Sequence, residues 1–318
     1  MLAVIGNTVI DLFLHNIADL PRASGDEFTG GNLIWCQEPV AASMGGNGAN
    51  VAYVFAALGG RVTLFSALGV DWAGGLLQEW LAREKVSLKG IYQDKSIPTS
   101  TNVVLTDQAN NRLSFFYAGA DASLDYSKID LELLLGHQFL LICGYPLLPA
   151  LRGETAGRIL ALARARGLKT AMDIGPAIGQ PVLLTEIKGF FPDIDYLLGN
   201  FTEINTLTGE QEMEDSLACL EANGYQGWVV AKQGEKGVNL YQIGKRLELY
   251  VPAYQVPVRG TVGAGDTFDA AFLWGLQQGF DEKTAARWGN AAASLVVATG
   301  GLVRAPSREE IEKVINYR

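Results

Sequence analysis

The chain is 318 residues long, 48% hydrophobic and 19% charged, proportions of an ordinary globular protein able to bury a sizeable core. Its formal net charge of −9 excludes the basic surface that nucleic-acid binding needs, yet permits a local anion site of the kind ATP requires. Cys36, Cys143 and Cys219 lie far apart with only His15 and His137 besides, which excludes a Cys/His metal centre and leaves three buried or half-buried thiols as the expectation.

Met1–Gly6 has no basic region ahead of a long apolar run, so no signal peptide is expected. Leu2–Ile5 reads as a short buried strand. The segment from Leu12 to Met44 lacks helical periodicity and reads as exposed strands and loops. The uncharged run from Pro39 to Gly60 is broken by asparagines and glycines and makes a poor membrane span, so a cytosolic setting is expected. Asn50–Leu58 places Val51, Val54, Phe55 and Leu58 on one helical face and ends at Gly59-Gly60. Arg61–Leu68 reads as a strand and Trp72–Lys85 as an amphipathic helix. Thr99–Tyr117, with a polar turn around Asp107–Asn111, reads as a β-hairpin.

Strand and helix then alternate. Phe139–Cys143, Lys169–Ile174, Tyr196–Leu198, Gly227–Lys232 and Val238–Val251 read as strands; Glu154–Arg166, the stretch up to Asn223 and the C-terminal region read as helices. Such alternation implies an α/β fold with a mostly parallel sheet covered on both faces. With no composition break, residues 1–318 read as a single domain. Segments at about 12–44 and 99–117 are inserted as a small β-layer, a lid.

Four glycine-rich sites fall at strand ends. Gly263-Ala264-Gly265-Asp266 opens a helix, where unpaired N–H groups and the dipole suit an anion and the carboxylate can take a proton; a tight turn with a helix cap is the alternative. Gly45-Gly46-Asn47-Gly48-Ala49-Asn50 precedes a helix but fails the dinucleotide register, and it suits a hydroxyl-rich ligand or a plain helix-entry turn. Asp11 follows the first strand, past the carboxyl end where open α/β sheets bind ligands. Asn200 and Glu203 share a helical face, suited to Mg²⁺ held largely through water or to an N-cap with an acidic first turn. Lys232–Gly237 is a flexible turn that either lines a phosphate channel or closes a hairpin.

Together these residues resemble the ribokinase-like (PfkB) carbohydrate kinases. Gly45–Ala52, with Gly59 and Gly69 beyond, is similar to the sugar-side signature, and Thr261–Phe268 to the catalytic signature. Asn200-x-x-Glu203 and Gly69-x-Asp71-x-x-Gly74 match two further elements, and the matches run from Gly6 to about Pro306. The resemblance implies a three-layer α/β/α fold with a β-sheet lid, and transfer of the ATP γ-phosphate to a sugar-type hydroxyl. It implies Asp266 as the base, with the N–H groups of Gly263, Ala264 and Gly265 as anion hole. Asp11, Gly45, Gly46, Asn47 and Asn50 would hold the acceptor. Asn200, Lys232, Gly234, Gly237 and Asn290 would border ATP, and Glu203 would orient Mg²⁺ through water. In this family the lid often forms a homodimer contact.

Three departures stand out. Gly260 occupies the place of an acidic or amide residue that helps build the K⁺ site in K⁺-activated members, so the resemblance does not carry K⁺ dependence over to this chain. Asp173-Ile174-Gly175-Pro176-Ala177 replaces D-x-N-x-R. Asn47 stands where ribokinase has Lys, and Val9 where it has Asn, so the resemblance stops short of ribokinase itself. A nucleoside kinase of the same fold, with Phe115, Phe116 and Tyr117 beside a base, and a ligand-binding member without catalysis stay open as alternatives.

Overall fold

The computed structural model describes residues 1–17, 36–109, 111–175 and 180–317. Residues 18–35 of the expected lid, and Pro176 and Ala177 of the departing run, lie outside the described residues. The first half comprises β1 (Leu2–Ile5), β2 (Val9–Ile17), β3 (Ala41–Gly45), α1 (Asn47–Ala57), β4 (Val62–Gly69), α2 (Trp72–Arg83), β5 (Ser87–Asp94), β6 (Thr101–Asp107), β7 (Arg112–Tyr117), α3 (Leu131–Leu135), β8 (Phe139–Ile142) and α4 (Glu154–Ala165). The second comprises β9 (Lys169–Asp173), α5 (Leu184–Ile187), β10 (Tyr196–Asn200), α6 (Phe201–Thr208), α7 (Met213–Ala222), β11 (Trp228–Lys232), β12 (Val238–Gln242), β13 (Leu247–Val251), α8 (Ala264–Gln277), α9 (Glu282–Thr299) and α10 (Arg308–Asn316).

The main sheet has nine strands in the order β13-β12-β11-β10-β9-β8-β1-β4-β5, parallel except where β12 and β13 join as an antiparallel meander. Its central strands are apolar on both faces because helices cover both. Ala3 and Ile5 pack into one core with α4, α6 and α7, while Leu2 and Val4 pack into the other with α1, α8 and α9. Period-two alternation along a single strand thus feeds two layers. The small sheet, in the order β3-β2-β6-β7, stands apart from it. Every residue of β7 at its edge is exposed.

The expected α/β fold with a small β-layer is therefore present, with four differences from the sequence reading. Strand β5 was not expected: it is a sheet edge carrying Lys89, Gly90 and Gln93, so its polar outer side hides the alternation. Helix α1 starts at Asn47, three residues before the expected start, because Gly46 turns the chain at φ 94° and the Asn7 Oδ1 accepts the Asn47 N–H at 3.0 Å. Asp11 does not sit at the end of a main-sheet strand, because the chain leaves that sheet at once and Asp11 falls inside β2 of the small sheet. Cys36 is exposed; Cys143 is buried and Cys219 half-buried. No helix among the described residues is long and apolar enough to cross a membrane.

Candidate functional site

Two helix N-termini meet in one cleft. Gly46 cannot carry a side chain, since a Cβ there would lie 2.4 Å from the Asn7 carbonyl oxygen. Gly48 presses against Gly6 in the same way, bringing the start of α1 onto the end of β1. Gly263 takes φ 77° ahead of α8, which packs along α1. This juxtaposes residues more than two hundred positions apart. The Asp266 carboxylate accepts the side-chain amide of Asn47 at 2.7 Å and that of Asn50 at 2.7 Å, one on each oxygen. Sequence reasoning gave both asparagines to the acceptor, whereas their amides hold the carboxylate of the expected base. Burial raises the Asp266 pKa; the two amides oppose that, and the Asp173 carboxylate adds to it.

Around it the first turn of α8 presents unpaired donors. Among the described residues, the N–H groups of Gly263, Gly265 and Asp266 have no acceptor. The Ala264 N–H, expected in the anion hole, donates to the Thr261 carbonyl at 3.1 Å. Beneath this turn, Lys232 at the end of β11 is clamped between two buried carboxylates. Its Nζ lies 2.7 Å from Asp173 Oδ2 and 3.0 Å from both oxygens of Asp269. The pair holds the Lys232 ammonium well above its ordinary pKa despite its burial. Asp173 is held down by Lys232, while burial pushes Asp269 up. Neither aspartate was singled out as a partner for Lys232. Asp269 lies one helical turn beyond Asp266, a spacing that offered a signal.

Lys232, Ala264 and Gly265 line a cavity of about 280 Å³ together with Gly234, Gly237 and Asn290. Phe268, Val256, Val258 and Val297 supply apolar wall. Gly237 is required by close approach, since a Cβ there would lie 2.2 Å from the Val251 carbonyl oxygen. The Asn290 amide donates to the Val251 and Pro252 carbonyls at 3.0 and 3.1 Å, tying the end of β13 to α9. Its nitrogen is thus engaged by backbone.

Asn200 and Glu203 form a reciprocal capping box on α6, with Glu203 Oε2 accepting the Asn200 N–H at 2.7 Å and Asn200 Oδ1 accepting the Glu203 N–H at 2.9 Å. Glu203 is nevertheless part of the site's field: burial first, then Asp173, push it up to about 7, with Lys232 opposing. Among the described residues, no group of three or more His, Cys, Asp or Glu side chains could ligate a metal directly.

On the lid side, Asp11 Oδ1 accepts the Asn102 side-chain amide at 2.9 Å, a partner that sequence reasoning missed. Gly45 leaves room for that carboxylate, as a Cβ there would lie 2.1 Å from Asp11 Oδ2. Burial raises Asp11 above the ordinary carboxylate value. Gly260 also has a physical reason: its Cβ would lie 2.4 Å from the Gly300 carbonyl oxygen, so no side chain fits there.

Comparison with known proteins places these residues in a wider set. Residues 2–308 match the model of the pfkB family carbohydrate kinases. A nucleoside kinase of Methanothermobacter thermautotrophicus is 27% identical over 303 residues, covering 94% of this chain and 90% of its own. A ribokinase of Bacillus subtilis is 27% identical over 282 residues, covering 86% of this chain and 87% of its own. The structure of Arabidopsis thaliana ribokinase complexed with ribose and ATP superposes with a TM-score of 0.86 at 25% identity, covering 100% of this chain and 99% of that one.

Proposed function

The chain belongs to the pfkB family of carbohydrate kinases, and from that membership we propose how its residues divide the work. It is an ATP-dependent phosphotransferase with an alcohol group as acceptor. We read residues 1–318 as one kinase domain with the lid inserted, acting on a sugar or sugar-like molecule. One observation carries the assignment of roles. The Asp266 carboxylate is held on both oxygens by amides, beside three unpaired N–H groups at the start of its own helix.

Asp266 takes the acceptor hydroxyl proton as that oxygen forms a bond to the γ-phosphorus; the bond from phosphorus to the β-phosphate oxygen breaks and ADP leaves. A raised Asp266 pKa brings the base closer to the acidity of its task. Asn47 and Asn50 aim its oxygens from the acceptor side. The N–H groups of Gly263, Gly265 and Asp266, with the α8 dipole, face the charge that develops on the transferring group. Lys232, fixed by Asp173 and Asp269, adds a positive charge under that turn.

The cavity between Gly234, Gly237 and Asn290 takes the nucleotide, its apolar wall suiting the base. The donor set fits Mg²⁺ held through water, since Glu203 is a single carboxylate within the field of Asp173 and Lys232. Glu203 and Asn200 would orient the ion, which neutralises phosphate charge when bound. Asp11, with Asn102, receives acceptor hydroxyls, and the lid excludes water that competes as acceptor. The exposed edge strand β7 supplies a surface for homodimerisation.

A nucleoside acceptor is the second reading. It is favoured by the relative from Methanothermobacter thermautotrophicus and by Phe115, Phe116 and Tyr117 standing exposed on the lid. Thermal-shift measurements with a non-hydrolysable ATP analogue and Mg²⁺ separate the two. The sugar reading expects stabilisation by at least one of D-ribose, D-fructose and D-glucose. Stabilisation by adenosine or inosine alone would overturn it.

A further inference from the structure

Among the described residues, the chain passes between the two sheets at four places. These are Asn7–Thr8 before β2, Gly46 before α1, Thr99–Ser100 before β6 and Ala118–Gly119 after β7. Two of these crossings are bonded to one side chain outside the cleft, that of Asp121, which follows a third crossing and is 1% exposed. Its Oδ2 accepts the Thr8 N–H at 2.8 Å and lies 3.0 Å from the Ser100 hydroxyl. Its Oδ1 accepts the Ser66 hydroxyl at 2.8 Å and the Ala67 N–H at 3.1 Å. The Thr8 hydroxyl in turn donates to Ser66 Oγ at 2.8 Å. One carboxyl oxygen therefore holds the two strands leading into the lid, and the other holds β4 of the main sheet.

The placement has a structural cause. Strand β1 pairs with β4 only as far as Ile5 and Phe65, then turns away to the lid. That departure leaves donors on both chains to be satisfied inside the core, and Asp121 satisfies them. Gly119 makes this possible by crossing at φ 55° so tightly that a Cβ would lie 2.4 Å from the Ser100 nitrogen. Asp71, from the Gly69–Gly74 run, secures the same crossing by accepting the Thr99 N–H and the Thr99 hydroxyl, each at 2.7 Å.

The hydrogens around Asp121 can be counted. The Ser100 hydroxyl bonds to both the Ala118 carbonyl and Asp121 Oδ2 but carries one proton. That proton serves one acceptor at a time, the Ala118 carbonyl or the Asp121 carboxyl. Burial pushes Asp121 up to about 6, and its four partners are all neutral donors.

We infer that Asp121 is a positioning residue that sets where the acceptor-side pair stands relative to Asp266. Strand β2 carries Asp11 three residues beyond Thr8, β6 carries Asn102 two residues beyond Ser100, and those two side chains are bonded at 2.9 Å. Asp121 thus acts on acceptor affinity through the lid, not on the transfer step. The kinetic part of this inference rests on the proposed acceptor role of Asp11.

The test compares wild type with Asp121→Asn and Asp121→Ala. Hydrogen exchange is expected to accelerate about tenfold or more in β2 and β6 while β8–β11 keep their protection. With D-ribose as probe, the acceptor KM is expected to rise about tenfold, with kcat within about threefold and the ATP KM unchanged. Asparagine keeps the β4 side but turns a nitrogen towards Thr8, so its effect falls below that of alanine. Unchanged lid exchange, equal acceleration in both sheets, or an equal rise in the ATP KM would overturn the inference. If wild type fails to phosphorylate D-ribose, that result counts against the acceptor probe, and exchange alone decides the role of Asp121. If neither variant folds, Ser66→Ala and Ser100→Ala each remove one bond from opposite oxygens. Their combined effect on lid exchange is expected to be less than additive, and full additivity would contradict a shared pin.

Discussion

Replacing Asp266 by asparagine separates proton transfer from the rest of the site. The side chain keeps its shape, and its new amide faces the Asn47 and Asn50 nitrogens that now lie 2.7 Å from the carboxylate oxygens. One of those two contacts becomes donor against donor. Rotating that one neighbouring amide by half a turn presents its oxygen and restores the bond, so the fold survives. What is lost is the group that accepts the hydroxyl proton. General-base removal costs about 10²–10⁴-fold in rate, or roughly 2.7–5.5 kcal/mol of transition-state stabilisation.

Stability moves the other way. Burial raises the Asp266 pKa in the folded state, so its stabilising contribution is full at low pH and is lost as pH rises through that folded value. Asparagine does not titrate. Denaturation midpoints should therefore favour the variant increasingly as pH rises through that folded value. The assay pairs acceptor-dependent ADP release with calorimetric ATP affinity. A rate within about threefold of wild type, or an affinity for ATP that falls as far as the rate, would refute the assignment.

Lys232→Met leaves Asp173 and Asp269 buried without their cation. It should lower stability by about 3–5 kcal/mol in denaturant titrations, well beyond the effect of Asp269→Asn. Glu203, pushed up to about 7, should make the Mg²⁺ requirement steeper as pH falls below 7, because protonation removes its charge. In Glu203→Gln the Mg²⁺ concentration for half-maximal rate should be higher and flat across that range. Gly260 has the Gly300 carbonyl oxygen 2.4 Å from its would-be Cβ. Activity should accordingly differ by less than about twofold between KCl and NaCl, and Gly260→Ala should destabilise by about 1–3 kcal/mol.

Much of this site was legible because its signals are local. Gly263–Asp266 announces a close backbone approach at a helix start, and the structure adds unpaired N–H groups there. The strand–helix alternation gave a parallel sheet because each central strand is apolar on both faces. What stayed hidden joins distant residues through shape. Nothing in the spacing of Asn47 and Asn50 says that their amides reach residue 266. Lys232 finds Asp173 and Asp269 only once β9, β11 and α8 are packed. Asp121 lies in a short polar turn with no motif around it, and its partners come from two crossings and from β4. Strand β5 was missed for the opposite reason, being an edge whose polar side resembles a loop.

The central claim is that this cleft moves a phosphoryl group from ATP to a hydroxyl of a sugar-like molecule. A coupled ADP-release screen over pentoses, hexoses, nucleosides and sugar phosphates tests it most directly. At least one polyol acceptor should raise the rate about 10²-fold or more over the acceptor-free reaction in wild type, and fail to do so in Asp266→Asn. Equal ADP release with and without every acceptor, or the same stimulation in the variant, would contradict it.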